Sequence, residues 1–441
     1  MWCFRNRISC LENFAKYSTV SKTTNVLNSW VEDENLILPK NLSKKKHKYS
    51  DHIYINSDNG AQVIAKKLPD YISKNSVVLE VNPGNGFLTR HLLRNSKIKK
   101  LLLFETHSDF IPKLEALQAA CRNRIEIKHG DFFNLWKLSF RDKMDNGTRL
   151  PKLLSNIPKT SFNDDCEVKI CGGVGTKNFF KHLITSLTFN TSLFSYGRFE
   201  MLLIVPPSIY VHLTSCKESG YFYYRSTSVL FQIMFEYKFI CKIPKFYFLP
   251  TLFDNSTTKK VKKKNVIDPE FLYLVKVVPR RNIYELCSLE DMPALCHFVK
   301  QTYFSRKNRV IPLMEKWAPG CGPRLILNSK GIKSVDNLFE EENEKDLPAF
   351  SRRCTTMSTE DYFSQMNIYT EFGELNPSQM LTLFLQFRNW PEYKESPFLA
   401  SLESSLLKME PSSEDIVDEV VVDDNITSKE FSSNVKAIDG S

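Results

Sequence analysis

The sequence predicts an open α/β sheet with helices on both faces, followed by a small all-helical domain. Three observations carry this expectation. Short apolar runs alternate with segments of helical periodicity from about Ile53 to Val205. A glycine-rich turn joins the first of the central runs to the helix after it. After Arg281 the strand-type pattern stops and helical periodicity continues alone.

Residues 1–45 read as a mitochondrial targeting leader, disordered in solution. Trp2, Phe4, Ile8 and Leu11 can share one helical face among Arg5, Arg7, Lys16 and Lys22, with Glu12 as the one acidic departure. The α/β domain is expected over 46–285, opening with "IYINSDNGAQVIAKKL", a turn entering a helix. Its strands are expected at Val77–Val81, Leu101–Glu105, Ile125–His129, Val168–Cys171 and Met201–Val205. Helices over Asp109–Cys121 and Asn178–Phe189 carry apolar residues at helical spacing, such as Ile111, Leu114 and Leu117. Two late runs, Lys238–Phe248 and Phe271–Pro279, have no helix between them, so they form an antiparallel edge pair joined by the basic Lys259–Lys264 run.

The helical domain is expected over 286–395, where "LEDMPALCHFVKQTYFSRKNRVIPLMEKW" starts acidic and ends basic, as a helix dipole favours. From 396 to 441 an acidic, flexible tail is expected.

The chain of 441 residues is long enough for two or three domains and a sizeable core. Its net charge of +10 divides unevenly: Ser401 to Ser441 holds ten acids and three lysines, a balance of −7, so the rest carries +17. Such a surplus suits a polyanionic partner, most simply nucleic acid. No apolar run is long enough for a membrane span. The eleven cysteines are scattered without a CxxC pair and the eight histidines are dispersed, so no metal site is expected and the thiols read as reduced.

Chemistry first becomes visible in "LEVNPGNGFLTRHLL", a strand, a tight turn and a helix. Asn82-Pro83-Gly84-Asn85-Gly86 places glycines where backbone must come close to a ligand, without the GxGxxG spacing of a dinucleotide site. Glu105 ends the next strand about twenty residues on, where a carboxylate can accept from two ribose hydroxyls. Asp131 follows the third strand, placed to accept from an adenine amine.

With "FETHSDFIPKLEAL" and "HGDFF", these motifs resemble the rRNA adenine dimethyltransferases. The mitochondrial transcription factor B branch is the more similar, its second paralogue in particular, through "YGRFEMLLIV", "FLYLVKVVPRRNIY", "CHFVKQTYFSRKNRVI" and "MSTEDYFSQ". The resemblance spans about Tyr54 to Phe387 and implies a Rossmann-like, S-adenosylmethionine-dependent methyltransferase sheet. It implies cofactor contacts from Glu80, Gly84, Gly86, Glu105 and Asp131, with Ile55 closing over the pocket.

In active relatives the fourth strand ends in Asn-Leu-Pro-Tyr or Asn-Leu-Pro-Phe. The amide and a carbonyl orient the adenine amine, and the aromatic ring stacks on the flipped base. Asn156-Ile157-Pro158-Lys159 imitates this motif from a polar, proline-broken stretch and reads as an exposed loop. The position itself falls on Gly173, Val174, Gly175 and Thr176, which have neither the amide nor the ring, so no catalytic residue is expected there. Methyl transfer is then lost or weak. The resemblance implies a transcription initiation factor that joins mitochondrial RNA polymerase and promoter DNA in the matrix nucleoid. Arg280, Arg281, Arg306, Lys307 and Arg309 are the candidate nucleic-acid contacts, with Tyr303 and Phe304 beside the last three. The alternatives are a small-subunit rRNA adenine dimethyltransferase, or an assembly factor that binds that rRNA without modifying it.

Overall fold

The computed structural model describes residues 36–39, 52–121, 124–217, 222–250, 268–327, 359, 363 and 365–408. The expected leader helix, the Lys259–Lys264 run and the acidic stretch after residue 408 lie outside these residues.

Among the described residues, nine strands form the sheet system: β1 His52–Ile55, β2 Ser76–Val81, β3 Ile98–Glu105, β4 Ile125–His129, β5 Val168–Val174, β6 Glu200–Val205, β7 Phe235–Pro244, β8 Phe248–Leu249 and β9 Phe271–Pro279. The main order is β4-β3-β2-β5-β6-β9-β7. The first five of these run parallel, and β9 and β7 close the edge antiparallel. The expected edge pair is therefore present. Strand order reverses between β2 and β5, and the crevice at the carboxyl ends of such strands is where α/β sheets take ligands.

Helices α1 Asp58–Lys67, α2 Phe87–Arg94, α3 Ile111–Ala120 and α4 Leu135–Asp145 accompany the first strands. Then come α5 Asn178–Thr188, α6 Pro207–Thr214 and α7 Ser226–Met234. The central strands are buried on both faces, so their sequences are continuous apolar runs rather than alternating ones. One core cluster, with Ile64, Val78, Leu92 and Leu103, lies under α1, α2 and α3. A larger one, with Leu79, Phe104, Phe132, Phe179 and Phe231, continues without a break into the C-terminal helices.

Those helices are α8 Met292–Thr302, α9 Val310–Trp317, α10 Cys321–Leu327, α11 Pro377–Arg388 and α12 Pro397–Lys408. Phe298, Trp317, Phe387 and Phe398 pack ring on ring at their centre. Helix α12 falls in the segment expected to be tail. Its "PFLASLESSLL" is apolar at helical spacing, and Phe398 anchors it in the core; the strongly acidic sequence begins only after it.

Two differences from expectation shape the site. The segment at Ile53, read as a turn, is strand β1. The fourth central strand, expected to end at Cys171, runs on to Val174. The two have one cause: β1 pairs antiparallel with the end of β5, His52 opposite Val174 and Ile53 opposite Gly173.

Candidate functional site

The glycine turn sits at the carboxyl end of β2, in the crevice that the strand order defines. Asn82, Gly84 and Gly86 all take positive φ, at 57°, 57° and 73°. Gly84 and Gly86 supply that conformation without the strain a side chain would bring, and Gly86 ends the turn at the N-terminus of α2. The backbone N–H of Gly84 is directed at the Glu105 carboxylate, donating to Oε2 across 2.9 Å.

Glu105 is where the sequence placed it, at the tip of β3, but it is closed. Its Oε1 accepts from the Thr106 and His107 N–H groups, each at 2.8 Å, and from the Tyr54 hydroxyl at 3.3 Å. Its accessible surface is 0%. Burial raises its pKa, against the pull of the three backbone N–H groups and the Tyr54 hydroxyl. Burial likewise raises that of Tyr54, and the neighbouring Glu105 charge adds to it.

Asp131 follows β4 and caps the next turn, accepting from the Asn134 N–H at 3.2 Å and from its side-chain amide at 2.7 Å. His52 Nε2 lies 3.4 Å from its Oδ2. Burial works to raise the Asp131 pKa, yet the His52 and Asn134 interactions prevail and hold it below the ordinary aspartate range. Glu80, at the carboxyl half of β2, is fully enclosed, and its Oε2 has no hydrogen-bond partner among the described residues. Burial pushes it up to about 8, so its carboxyl is largely protonated near neutral pH.

Ile55 does not close over this pocket. It belongs to the core cluster of α1 and α2, while Tyr54, its neighbour on β1, packs with Phe110 and Leu249. Successive side chains of a strand point to opposite faces, so the residue over the pocket is Tyr54. The sequence reading missed Tyr54 and His52 because it took their segment for a turn. The alternation of His52, Ile53, Tyr54 and Ile55 with their neighbours is too short a signal to identify a strand.

At the end of β5, where the sequence reading expects the methyl-transfer motif, β1 occupies the space. A Cβ on Gly173 would lie 2.6 Å from both the Cβ and the carbonyl oxygen of Ile53. Gly173, Val174 and Gly175 are buried, and Thr176 Oγ1 accepts from the Asn178 N–H at 3.3 Å. Phe179, the nearest aromatic residue in sequence, is locked against Phe132, Phe133 and Phe180 with no accessible surface. The imitation motif at Asn156 lies elsewhere, bonded to Glu126 of β4 through its side-chain amide at 2.6 Å.

The basic candidates divide. Arg280 is buried and donates to the carbonyls of Ile233 and Gln232 at 3.0 and 3.2 Å, closing the end of α7, so it is not free to meet a phosphate. Arg281 is exposed beside Asp165 at 3.6 Å. Arg306, Lys307 and Arg309 share the loop between α8 and α9. That loop is pinned from below: the Gly373 N–H donates to the Arg306 carbonyl, the Phe372 N–H to that of Asn308 and the Val310 N–H to that of Thr370, each at 2.9 Å. Arg309 lies over the Tyr369 ring at 5.0 Å, Tyr303 is buried, and Phe304 projects with 92% of its surface exposed.

The strand order, the glycine turn and the acids after β3 and β4 together define the class: a Rossmann-like methyltransferase fold of the type that uses S-adenosylmethionine. That cofactor needs Glu105 open to two ribose hydroxyls. Four protein donors already fill the carboxylate, so the pocket as folded does not fit it.

Residues 42–268 match the family described as Ribosomal RNA adenine dimethylase. A Drosophila melanogaster protein named Dimethyladenosine transferase 2, mitochondrial, is 51% identical over 394 residues, covering 88% of this chain and 86% of that one. A Bos taurus protein of the same name is 23% identical over 298 residues, covering 64% and 72%. Among solved structures, the 23S rRNA methyltransferase ErmE matches with a TM-score of 0.40 at 13% identity, covering 76% of this chain and 98% of that one. The chain belongs to the ribosomal RNA adenine dimethylase family, on the branch of its second mitochondrial paralogue.

Proposed function

We propose that the chain is a mitochondrial transcription initiation factor, acting with mitochondrial RNA polymerase in the matrix nucleoid to open promoter DNA. One observation carries this reading. The end of β5, where an adenine would be oriented for methyl transfer, is a buried strand paired to β1. Its residues Gly173 to Thr176 bring neither an amide nor an aromatic side chain, and a side chain at Gly173 would collide with the Ile53 backbone. A fold that loses the means to modify a base keeps its use as a surface for holding nucleic acid. The pinned loop with Arg306, Lys307, Arg309 and Phe304 has the cations for phosphates and an exposed ring for an unpaired base.

The test is promoter-directed transcription with purified mitochondrial polymerase, on closed duplex and on a template with a pre-opened bubble. Stimulation confined to the duplex supports a melting role. A second reading, small-subunit rRNA adenine dimethyltransferase, draws on the intact order of glycine turn, Glu105 and Asp131 and on the names of the relatives. It requires dimethyladenosine in the small-subunit rRNA to disappear when the chain is depleted. Loss of that modification without any effect on transcription would replace the first reading with the second.

A further inference from the structure

The most unusual feature of the pocket is what fills it. The Tyr54 ring lies across the glycine turn, so close that a Cβ on Gly84 would sit 3.0 Å from its Cδ1. This is the side of Gly84 where the missing side chain leaves room for a ligand. The phenol is 2% exposed and directs its hydroxyl at Glu105. It is held from behind by Phe110, with ring centroids 5.2 Å apart, and by Leu249 and Ile37.

Strand β1 is fixed along its length. Its first half pairs with β5, and in its second half Tyr54 and Ile55 pair with Leu249 and Phe248 of β8. The turn is fastened over it as well. The Asn85 side chain accepts from the Ile37 N–H at 3.1 Å and donates to the Ile37 carbonyl at 3.0 Å. On the same strand, His52 reaches Asp131, the acid placed for the base of a nucleoside.

We infer that Tyr54 is a built-in occupant of the nucleoside pocket, its hydroxyl taking the place of a ribose hydroxyl on Glu105. The chemistry matches on both counts. A phenol and a ribose hydroxyl are each neutral O–H donors to a carboxylate, and the ring supplies apolar surface against the turn. A nucleoside with a free cis-diol must displace Tyr54 to reach Glu105, and a fixed strand makes that displacement costly. This follows from the pocket alone and stands whether or not the promoter role does.

Calorimetric titration with S-adenosylhomocysteine, and separately with adenosine, tests it on the full chain, alongside Tyr54→Ala, Tyr54→Leu and Tyr54→Phe. The wild type is expected not to saturate at about 1 mM ligand, a level that marks weak binding. Tyr54→Ala and Tyr54→Leu free Glu105 and should bind about tenfold tighter or more, the worth of one charge-assisted hydrogen bond. Adding Glu105→Gln to either should cancel the gain. Tyr54→Phe keeps the ring in place and should stay close to wild type. Micromolar binding by the wild type overturns the inference, whatever the variants do. So does a cooperatively folded Tyr54→Ala or Tyr54→Leu that binds no better than wild type. If neither variant folds, the wild-type titration decides alone.

Discussion

Gly173 of β5 faces Ile53 of β1 with no room between them for even one more carbon. The residues from Gly173 to Thr176, with neither amide nor aromatic side chain, thus stand at a strand end paired to β1. Here the strand continues to Val174, and another strand pairs with its end.

Placing an amide there with Gly173→Asn should therefore damage the fold. The new Cβ would press on backbone, which cannot rotate away, so a loss of about 1–3 kcal/mol is expected in urea denaturation. Mass spectrometry of small-subunit rRNA should find no dimethyladenosine gained. Unchanged stability together with new methylation would show that β1 yields easily.

The α8–α9 loop should govern binding to nucleic acid. Replacing Arg306, Lys307 and Arg309 with alanine removes up to three phosphate contacts, so the slope of log affinity against log salt should fall by roughly 2–3 units. Fluorescence anisotropy over a range of salt concentrations measures it. Phe304→Ala should leave duplex binding unchanged and weaken single-strand binding by about 1–3 kcal/mol, the worth of one stacked base. Equal weakening on both would remove stacking as its role.

Arg280→Ala should behave in the opposite way. Its guanidinium closes the carbonyl end of α7 from a buried position, so the variant should lose about 2–4 kcal/mol of stability. The salt slope should not change. Thermal melts beside the anisotropy series separate the two effects, and a reduced slope in a stable Arg280→Ala protein would return it to the interface.

The contrast between Arg280 and Arg306 shows where sequence reading runs out. Both are arginines expected to meet nucleic acid, and nothing local distinguishes them; only the carbonyls at the end of α7, brought beside Arg280 by the fold, decide that one is enclosed. The sheet itself was legible because β2 to β6 are long apolar runs separated by helical periods. Glu105 was legible because it ends the strand after the glycine turn, and Asp131 because it closely follows the strand after that. Strand β1 has four residues, and its pairing with β5 and β8 is a long-range event. Tyr54 was hidden with it, and so was the closure of the pocket. Helix α12 was missed for a different reason: the acidic sequence after it outweighed the apolar pattern of Phe398, Leu399 and Leu402.

Glu80 should give the fold a distinctive dependence on pH. Its carboxyl has an ordinary value of 4.5, and burial raises it to about 8 in the folded chain. Below 4.5 both states hold the proton. Between 4.5 and about 8 the unfolded chain releases it while the folded chain keeps it, so the folded state binds more protons and stability falls as pH rises. Above about 8 both states are ionised and the loss is complete. Glu80→Gln keeps the shape and cannot ionise, so it should lose this slope and gain on the wild type between about pH 5 and 8. The upper bound of that gain is on the order of 5 kcal/mol, since each pH unit between the two values contributes about 1.36 kcal/mol. Comparing the two proteins at each pH cancels the other titrating groups, except for Glu105, whose repulsion helps to raise the Glu80 value. Urea denaturation at half-unit steps of pH measures the difference. Parallel curves would mean that Glu80 is ionised in the folded chain, with a partner for its charge.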